Sequence, residues 1–181
     1  MGWYIEGGKF GCVNKLGEIQ IPIIYDNEIR FKNRNATVAQ LEKNRFFINK
    51  FGEIAFEHNY EVVENFENNY CVVGKNKKYG VIDSTGKIII PIQYNFIKLL
   101  SNNKNQITIW ANLNSKWGIL DTDNHIILTF CYDEICINST TVSIRKNNLW
   151  GVSKRNGEII IPIHYEFIIN ESILWNLGIV R

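Results

Sequence analysis

The sequence predicts an all-β fold of tandem repeats about 35 residues long, each a three-stranded β-meander. Three observations lead to this prediction. A turn residue recurs every 33 to 38 residues, a tyrosine stands eight residues after each turn, and apolar residues alternate along the segment between them. No segment shows a sustained apolar period of 3.6 residues, so we expect little helix.

The turn residues and the tyrosines define five copies of the unit. The turn residue of each copy is Gly17, Gly52, Gly86, Asn124 or Gly157. The matching tyrosines are Tyr25, Tyr60, Tyr94, Tyr132 and Tyr165. Three residues before the turn residue, four copies carry Asn14, Asn49, Asp83 and Asp121. Such a side chain can cap its own turn, and Gly or Asn tolerates a positive φ, so the pattern predicts a hairpin.

The strand that follows each turn alternates as a half-buried strand does. In the first copy its predicted inward residues are Ile19, Ile21 and Ile23. Proline follows the turn residue by five positions in three copies, as Pro22, Pro91 and Pro162. Because proline cannot donate a hydrogen bond to a ladder, this strand should end at the proline or lie at a sheet edge.

An aromatic residue followed by glycine precedes the turn in four copies. These pairs are Phe10-Gly11, Tyr79-Gly80, Trp117-Gly118 and Trp150-Gly151. Two copies read Lys78-Tyr79-Gly80-Val81-Ile82-Asp83 and Lys116-Trp117-Gly118-Ile119-Leu120-Asp121, and the first continues as Gly86-Lys87-Ile88-Ile89-Ile90-Pro91-Ile92-Gln93-Tyr94. Over most of its length the chain resembles the WG repeat, also written KWG repeat. The resemblance implies a bacterial β-repeat scaffold and supplies no catalytic residues.

The repeats predict a single domain over residues 1–181. Copies 1 to 5 are assigned to 3–29, 37–63, 70–97, 107–135 and 141–168, and a half copy to 172–181. Repetition by itself is compatible with an open β-repeat array and with a propeller-like ring. The oligomeric state is also left open, because exposed edge strands can pair between chains.

The charge balance excludes a strong global field. The chain has 20 Lys and Arg against 18 Asp and Glu, a net charge of +2, so nothing global marks it for nucleic acid or an anionic membrane. No signal peptide and no run of about 18 apolar residues is recognisable. We therefore expect a cytoplasmic protein without a membrane partner, and the abundance of Ile, Asn and Lys suggests a bacterial origin.

No motif for catalysis, cofactor binding or metal binding stands out. The four cysteines, Cys12, Cys71, Cys131 and Cys136, include no C-x-x-C pair. His58 occupies an inward position, which we interpret as a hydrogen-bonded histidine or a strand end rather than a ligand. We expect a non-enzymatic protein with no cofactor and no metal.

The candidate binding residues lie where the repeat pattern breaks. They are Arg30, Phe31, Lys32 and Arg34 in the connector after copy 1, with Lys43 and Arg45 opening copy 2. In copy 2, Arg45 and Phe46 replace the aromatic-Gly pair, and Glu57 replaces the proline. The basic residues are interpreted either as a solvated loop or as a cationic face for an acidic protein surface or a phosphate backbone.

The leading functional hypothesis is a non-enzymatic protein–protein interaction module, because repeat arrays vary their loops on a constant scaffold. A narrower hypothesis is a small inhibitor that occludes a bacterial nucleic-acid-guided nuclease, as an anti-CRISPR protein does. Its partner would then be a large nuclease or nucleoprotein. Direct nucleic-acid binding through the basic residues and stacking aromatics is the alternative, and the near-neutral charge disfavours it.

Overall fold

The structure is a computed structural model that describes residues 2–32, 35–101, 106–138 and 140–166. Arg34 and the predicted half copy at 172–181 lie outside the described residues. The described part of the chain is all-β, as predicted, and contains no helix long and apolar enough to span a membrane.

The described strands form five small sheets, each an open meander in chain order. Copy 1 forms β1 (Gly2–Glu6), β2 (Lys9–Val13) and β3 (Ile19–Tyr25). Copy 2 forms β4 (Thr37–Leu41) and β5 (Asn44–Ile48). The third sheet contains β6 (Val62–Val63), β7 (Tyr70–Lys75), β8 (Lys78–Asp83) and β9 (Ile88–Tyr94). The fourth contains β10 (Phe96–Ser101), β11 (Ile107–Leu113), β12 (Lys116–Leu120) and β13 (Ile126–Tyr132). The fifth contains β14 (Glu134–Ile137), β15 (Thr141–Lys146), β16 (Leu149–Lys154) and β17 (Ile159–Tyr165).

Three sheets add an outer strand to the predicted three. β6, β10 and β14 each begin two residues after a repeat tyrosine, and each lies at the edge of its sheet. The copy bounds predicted from the sequence, which end at 63, 97 and 135, place the beginning of each of these strands in the preceding copy. These segments become strands because each buries an apolar side chain, namely Val63, Ile97 or Ile135, beside the next copy.

The chain divides into two compact units. Among the described residues, the first unit comprises 2–93 with 101 and 106, and the second comprises 94–100 with 107–166. The first unit contains two apolar clusters, one around Ile21, Ile29 and Ile48 and one around Phe47 and Val73. The second unit has a cluster around Ile119 and Ile144.

The predicted turn caps are confirmed. In copy 3 the Asp83 Oδ1 atom accepts hydrogen bonds from the Thr85 and Lys87 backbone N–H groups, at 2.8 and 3.1 Å. Asn14, Asn49 and Asp121 accept the same pair of bonds in their own copies. All five turn residues have a positive φ, between 64° at Asn124 and 89° at Gly157. The turns of copies 1 to 4 therefore share the same cap, and copy 5, with Lys154 at the cap position, keeps the same positive φ.

The strand after the turn lies at a sheet edge in copies 1, 3 and 5, as their prolines predicted, and also in copy 4, which has Thr129 instead of proline. The buried face of this strand begins two residues later than the sequence predicted. Ile21, Ile90 and Leu128 are buried, but the residue two positions after the turn is exposed in every copy. These exposed residues are Ile19, Ile54, Ile88, Ile126 and Ile159. They lie at the end of the hairpin, beyond the reach of the core.

A second repeated element joins each copy to the next, and the sequence analysis missed it. The Asp26 N–H donates to the Gln40 carbonyl at 2.7 Å, while its carboxylate accepts from the Glu42 N–H at 2.6 Å and from Lys9 at 2.5 Å. The residues that anchor the later hairpins in the same way are Glu61, Asn95 and Asp133. Each follows a repeat tyrosine directly and is polar in every copy, a signal visible in the sequence.

Candidate protein-interaction site in the second copy

The third strand pairs antiparallel with the second and shifts register beside the glycine of the aromatic-Gly pair in copies 1, 4 and 5. We call this close approach of the two strands the strand crossing. A Cβ atom at Gly80 would lie 2.6 Å from the Ile90 carbonyl oxygen and 2.9 Å from the Ile92 nitrogen. Real Cβ atoms do not approach backbone atoms so closely, so only glycine fits. The same contact, at 2.7 Å, occurs at Gly11, Gly118 and Gly151. Glycine at this position therefore allows the two strands to approach each other this closely.

Copy 2 carries Phe46 at this position, and its third strand is absent from the sheet. β4 and β5 form a two-stranded sheet. Within the described residues, the returning chain pairs with the β5 backbone only through the bridge between Ile48 and Ile54 and the Ala55 N–H, which donates to the Phe47 carbonyl at 2.8 Å. Residues 57–60 have no regular structure. A side chain at this position would collide with a third strand placed as in the other copies.

The displaced segment leaves a groove of about 500 Å³ beside β5. Residues 43–47 form one wall, and residues between 54 and 63 form the rest. We call this cavity the copy-2 groove. It lies at the position that the third strand fills in the four other copies.

His58 ties the displaced segment to β5. Its Nε2 atom lies 3.0 Å from the Arg45 carbonyl oxygen, and its Nδ1 atom lies 3.3 Å from the Tyr60 backbone nitrogen. Because the Tyr60 N–H can only donate, Nδ1 is the acceptor and the proton resides on Nε2. The ring stacks on Tyr60 at 5.5 Å and lies edge-on to Phe47 at 5.0 Å. The sequence interpretation of a hydrogen-bonded histidine is confirmed.

Aromatic side chains support the floor of the groove. Phe47 is fully buried and stacks on Phe56 with 4.5 Å between ring centroids. Phe66 meets Phe47 edge-on at 5.9 Å. Tyr60 is half-buried, and burial raises the pKa of its hydroxyl. The half-buried rings of Phe56 and Tyr60 line the groove above Phe47, and aromatic side chains lose little entropy when a partner orders them.

Both signs of charge line the groove. Lys43 and Glu57 are exposed, and no hydrogen bond within the described structure restrains the side chain of either. Arg45 is held in place, since its Nε donates to the Gln40 side chain at 3.2 Å and its guanidinium donates to the Val63 carbonyl. The groove therefore combines aromatic side chains with exposed charges of both signs, as interaction sites do.

The structure separates the candidate basic residues. Arg30 forms an ion pair with Glu28 and lines, with Lys32, a different cavity of about 220 Å³. Phe31 packs against the first apolar cluster. Lys43 and Arg45 line the copy-2 groove. Four of the six predicted residues thus border two separate cavities, whereas sequence proximity indicated one cationic face.

Three potential metal ligands meet in the turn of copy 4. Asp121, Asp123 and His125 each place a ligand atom within 4.8 Å of the others. The Asp121 carboxylate already caps the turn and contacts the His125 ring at 3.1 Å. Burial raises the pKa of this carboxyl, but its hydrogen bonds to His125 and Asp123 outweigh burial and leave the pKa below its usual value. Turn capping accounts for the cluster.

Residues on the far wall of the groove, such as Tyr60 and Glu61, were not among the sequence candidates. The replacement of glycine by Phe46 was visible in the sequence, but its consequence depends on how closely the strands cross.

The family model for the WG containing repeat matches residues 46–79, 79–117 and 150–172, more than half of the chain. The chain therefore belongs to the WG-containing-repeat family. Among curated proteins, none matches this sequence.

Proposed function

We propose that the chain is a non-enzymatic protein–protein interaction module whose partner binds in the copy-2 groove. One observation carries the proposal. Four copies carry a glycine at the strand crossing, and copy 2 carries Phe46 there. Copy 2 also contains a groove lined by aromatic and charged side chains. Repeat proteins bind their partners through loops and through copies that depart from the repeat, on an otherwise constant scaffold.

The experiment is affinity purification of the full chain from its native cells, with and without nuclease treatment, followed by quantitative mass spectrometry. The groove variant combines Lys43→Glu and Glu57→Lys, which change exposed charges without removing a structural hydrogen bond. Lys98→Glu, on the exposed face of β10, is the matched control. We expect a partner that the groove variant loses and the control retains, regardless of nuclease treatment. A partner retained equally by all variants would refute the groove as its site.

A narrower form of this function is inhibition of a bacterial nucleic-acid-guided nuclease by occlusion, as anti-CRISPR proteins achieve. Occlusion needs a preordered surface and no catalytic group, and hydrogen bonds order the capped turns. Cleavage by such a nuclease from the same cells, measured with and without the purified chain, tests it. Unchanged cleavage in the presence of excess chain would exclude inhibition of that nuclease.

Direct nucleic-acid binding receives less support from the structure. Arg30 pairs with Glu28, Arg45 is held by a carbonyl and a glutamine, and the cations border two cavities. We expect no salt-sensitive binding to single- or double-stranded RNA or DNA. Affinity measured at two salt concentrations checks this, because phosphate contacts give a steep salt dependence.

A further inference from the structure

The turns of copies 1 and 2 carry large apolar side chains at their tips. Leu16 is 82% exposed and Phe51 is 59% exposed. The other copies hold polar residues at the same position, one residue before the turn residue: Thr85, Asp123 and Asn156. Exposed apolar side chains grouped on a soluble domain mark a surface that another molecule covers.

These two turns are neighbours and are already ordered. A Cβ atom at Gly52 would lie 3.4 Å from the Ile21 side chain, so the second turn rests on the strand that leaves the first. The tip N–H groups of Leu16 and Phe51 both donate, at 2.9 Å, to the asparagine that caps their turn. Binding through preordered tips loses little conformational entropy. Exposed Ile19 extends the apolar area, and we call Leu16, Ile19 and Phe51 the tip surface.

Charges flank the tip surface in a regular order. A lysine precedes each tip and a glutamate follows it, in Lys15-Leu16-Gly17-Glu18 and Lys50-Phe51-Gly52-Glu53. The Glu18 and Glu53 carboxylates are oriented by the side-chain amides of Asn14 and Asn49, at 2.6 and 2.9 Å. Each tip therefore carries one cation and one anion, and the Lys50 Nζ atom lies 5.1 Å from the centroid of the Phe51 ring. A uniformly anionic surface would attract the lysines and repel the glutamates.

A second copy of the same surface complements both signs of charge. A twofold axis that brings tip against tip lets the lysines of each copy pair with the glutamates of the other. We propose that the tip surface binds the tip surface of a second copy of this chain in a symmetric dimer. This inference does not depend on the proposed partner of the copy-2 groove, because Leu16, Ile19 and Phe51 do not line that groove.

The first experiment is analytical ultracentrifugation of the purified full chain from about 1 to 200 µM, where weak dimers are resolved. We expect a concentration-dependent dimer. The variant Leu16→Thr/Phe51→Thr should weaken it by about tenfold or more, because two apolar side chains lose their burial. Threonine is the residue that copy 3 uses at this position, so the turn should still fold, as circular dichroism will verify. Ile126→Thr, another exposed isoleucine beside a polar tip, is the control and should leave the dimer unchanged.

A charge exchange separates self-association from other contacts. Lys15→Glu/Lys50→Glu places acidic residues before and after each tip and should weaken the dimer, whereas adding Glu18→Lys/Glu53→Lys should restore it. A chain that stays monomeric throughout, a dimer insensitive to the tip residues, or a charge exchange without recovery would overturn the proposal. So would tip-dependent binding of a monomeric chain to neutral or anionic phospholipid vesicles, since the tips would then serve a lipid surface.

Discussion

Replacing Gly80 with alanine tests the strand-crossing explanation of the repeat glycine. The added methyl group would lie 2.6 Å from the Ile90 carbonyl oxygen and 2.8 Å from the Ile92 side chain. The φ of Gly80 lies outside the left-handed region, so backbone strain contributes nothing and the whole effect comes from the close contact. Because the nearest atom belongs to the backbone of β9, the strand itself must move.

Overpacking of this kind costs about 1–3 kcal/mol. A loss of ~2 kcal/mol lowers the thermal midpoint of a chain of this length by about 4–8 °C. Gly74→Ala, in the same hairpin, is the matched control. Its Cβ would lie 3.1 Å from the Tyr79 ring and from the Val62 Cβ atom, so these neighbours need to give by only a few tenths of an ångström. Both substitutions reduce the entropy of the unfolded chain equally, so their difference isolates the contact.

The assay is thermal and urea unfolding of both variants and the parent protein, followed by far-ultraviolet circular dichroism. We expect Gly80→Ala to lower the midpoint by at least twice as much as Gly74→Ala. Equal shifts, or a Gly80→Ala variant as stable as the parent, would refute the account of Gly80 and with it the explanation of the copy-2 groove.

Three further predictions concern the turns and the joints between copies. Hydrogen bonds to Asp26, first from Lys9 and then from the Glu42 backbone, hold the pKa of its carboxyl below the usual value. Its stabilising contribution is therefore present above the unfolded pKa of about 4 and is lost as pH falls through the folded-state pKa. Asp26→Asn should lower the urea midpoint at pH 7, with the difference from the parent disappearing in strong acid. Asp83→Ala should lower the free energy of unfolding by about 1 kcal/mol, because it removes a turn cap. Asn124→Gly should be neutral or slightly stabilising, because φ is 64° there. Comparison of urea midpoints checks both, and an Asp83→Ala variant as stable as the parent would contradict the capping role.

Local features of the fold were predictable residue by residue. The Asp83 cap and the positive φ at Asn124 follow from turn chemistry that spans only a few residues. The edge position of the strand containing Pro91 follows from a missing backbone donor. Because the unit recurs about every 35 residues, each local prediction applies to every copy that has the same residues.

Features that depend on distances between remote segments were not predictable in the same way. The carboxylate of Asp26 anchors a hairpin that lies more than a dozen residues further along the chain. The candidate residues Arg30 and Arg45, close in sequence, border different cavities because the chain between them forms β4 and a turn. The isoleucine after each turn is exposed because its place at the hairpin end lies beyond the core, which alternation alone does not reveal.

By itself, the sequence determined the all-β repeat architecture, its turns, its edge strands and the copy in which the pattern breaks. Only the tertiary structure decided what that break does. Turn capping is a short-range property. The groove, in contrast, lies in the copy where Phe46 replaces a glycine whose Cβ position is within 3 Å of the third strand in the other copies. The copy that departs from the pattern, at Arg45, Phe46 and Glu57, thus carries the candidate binding site.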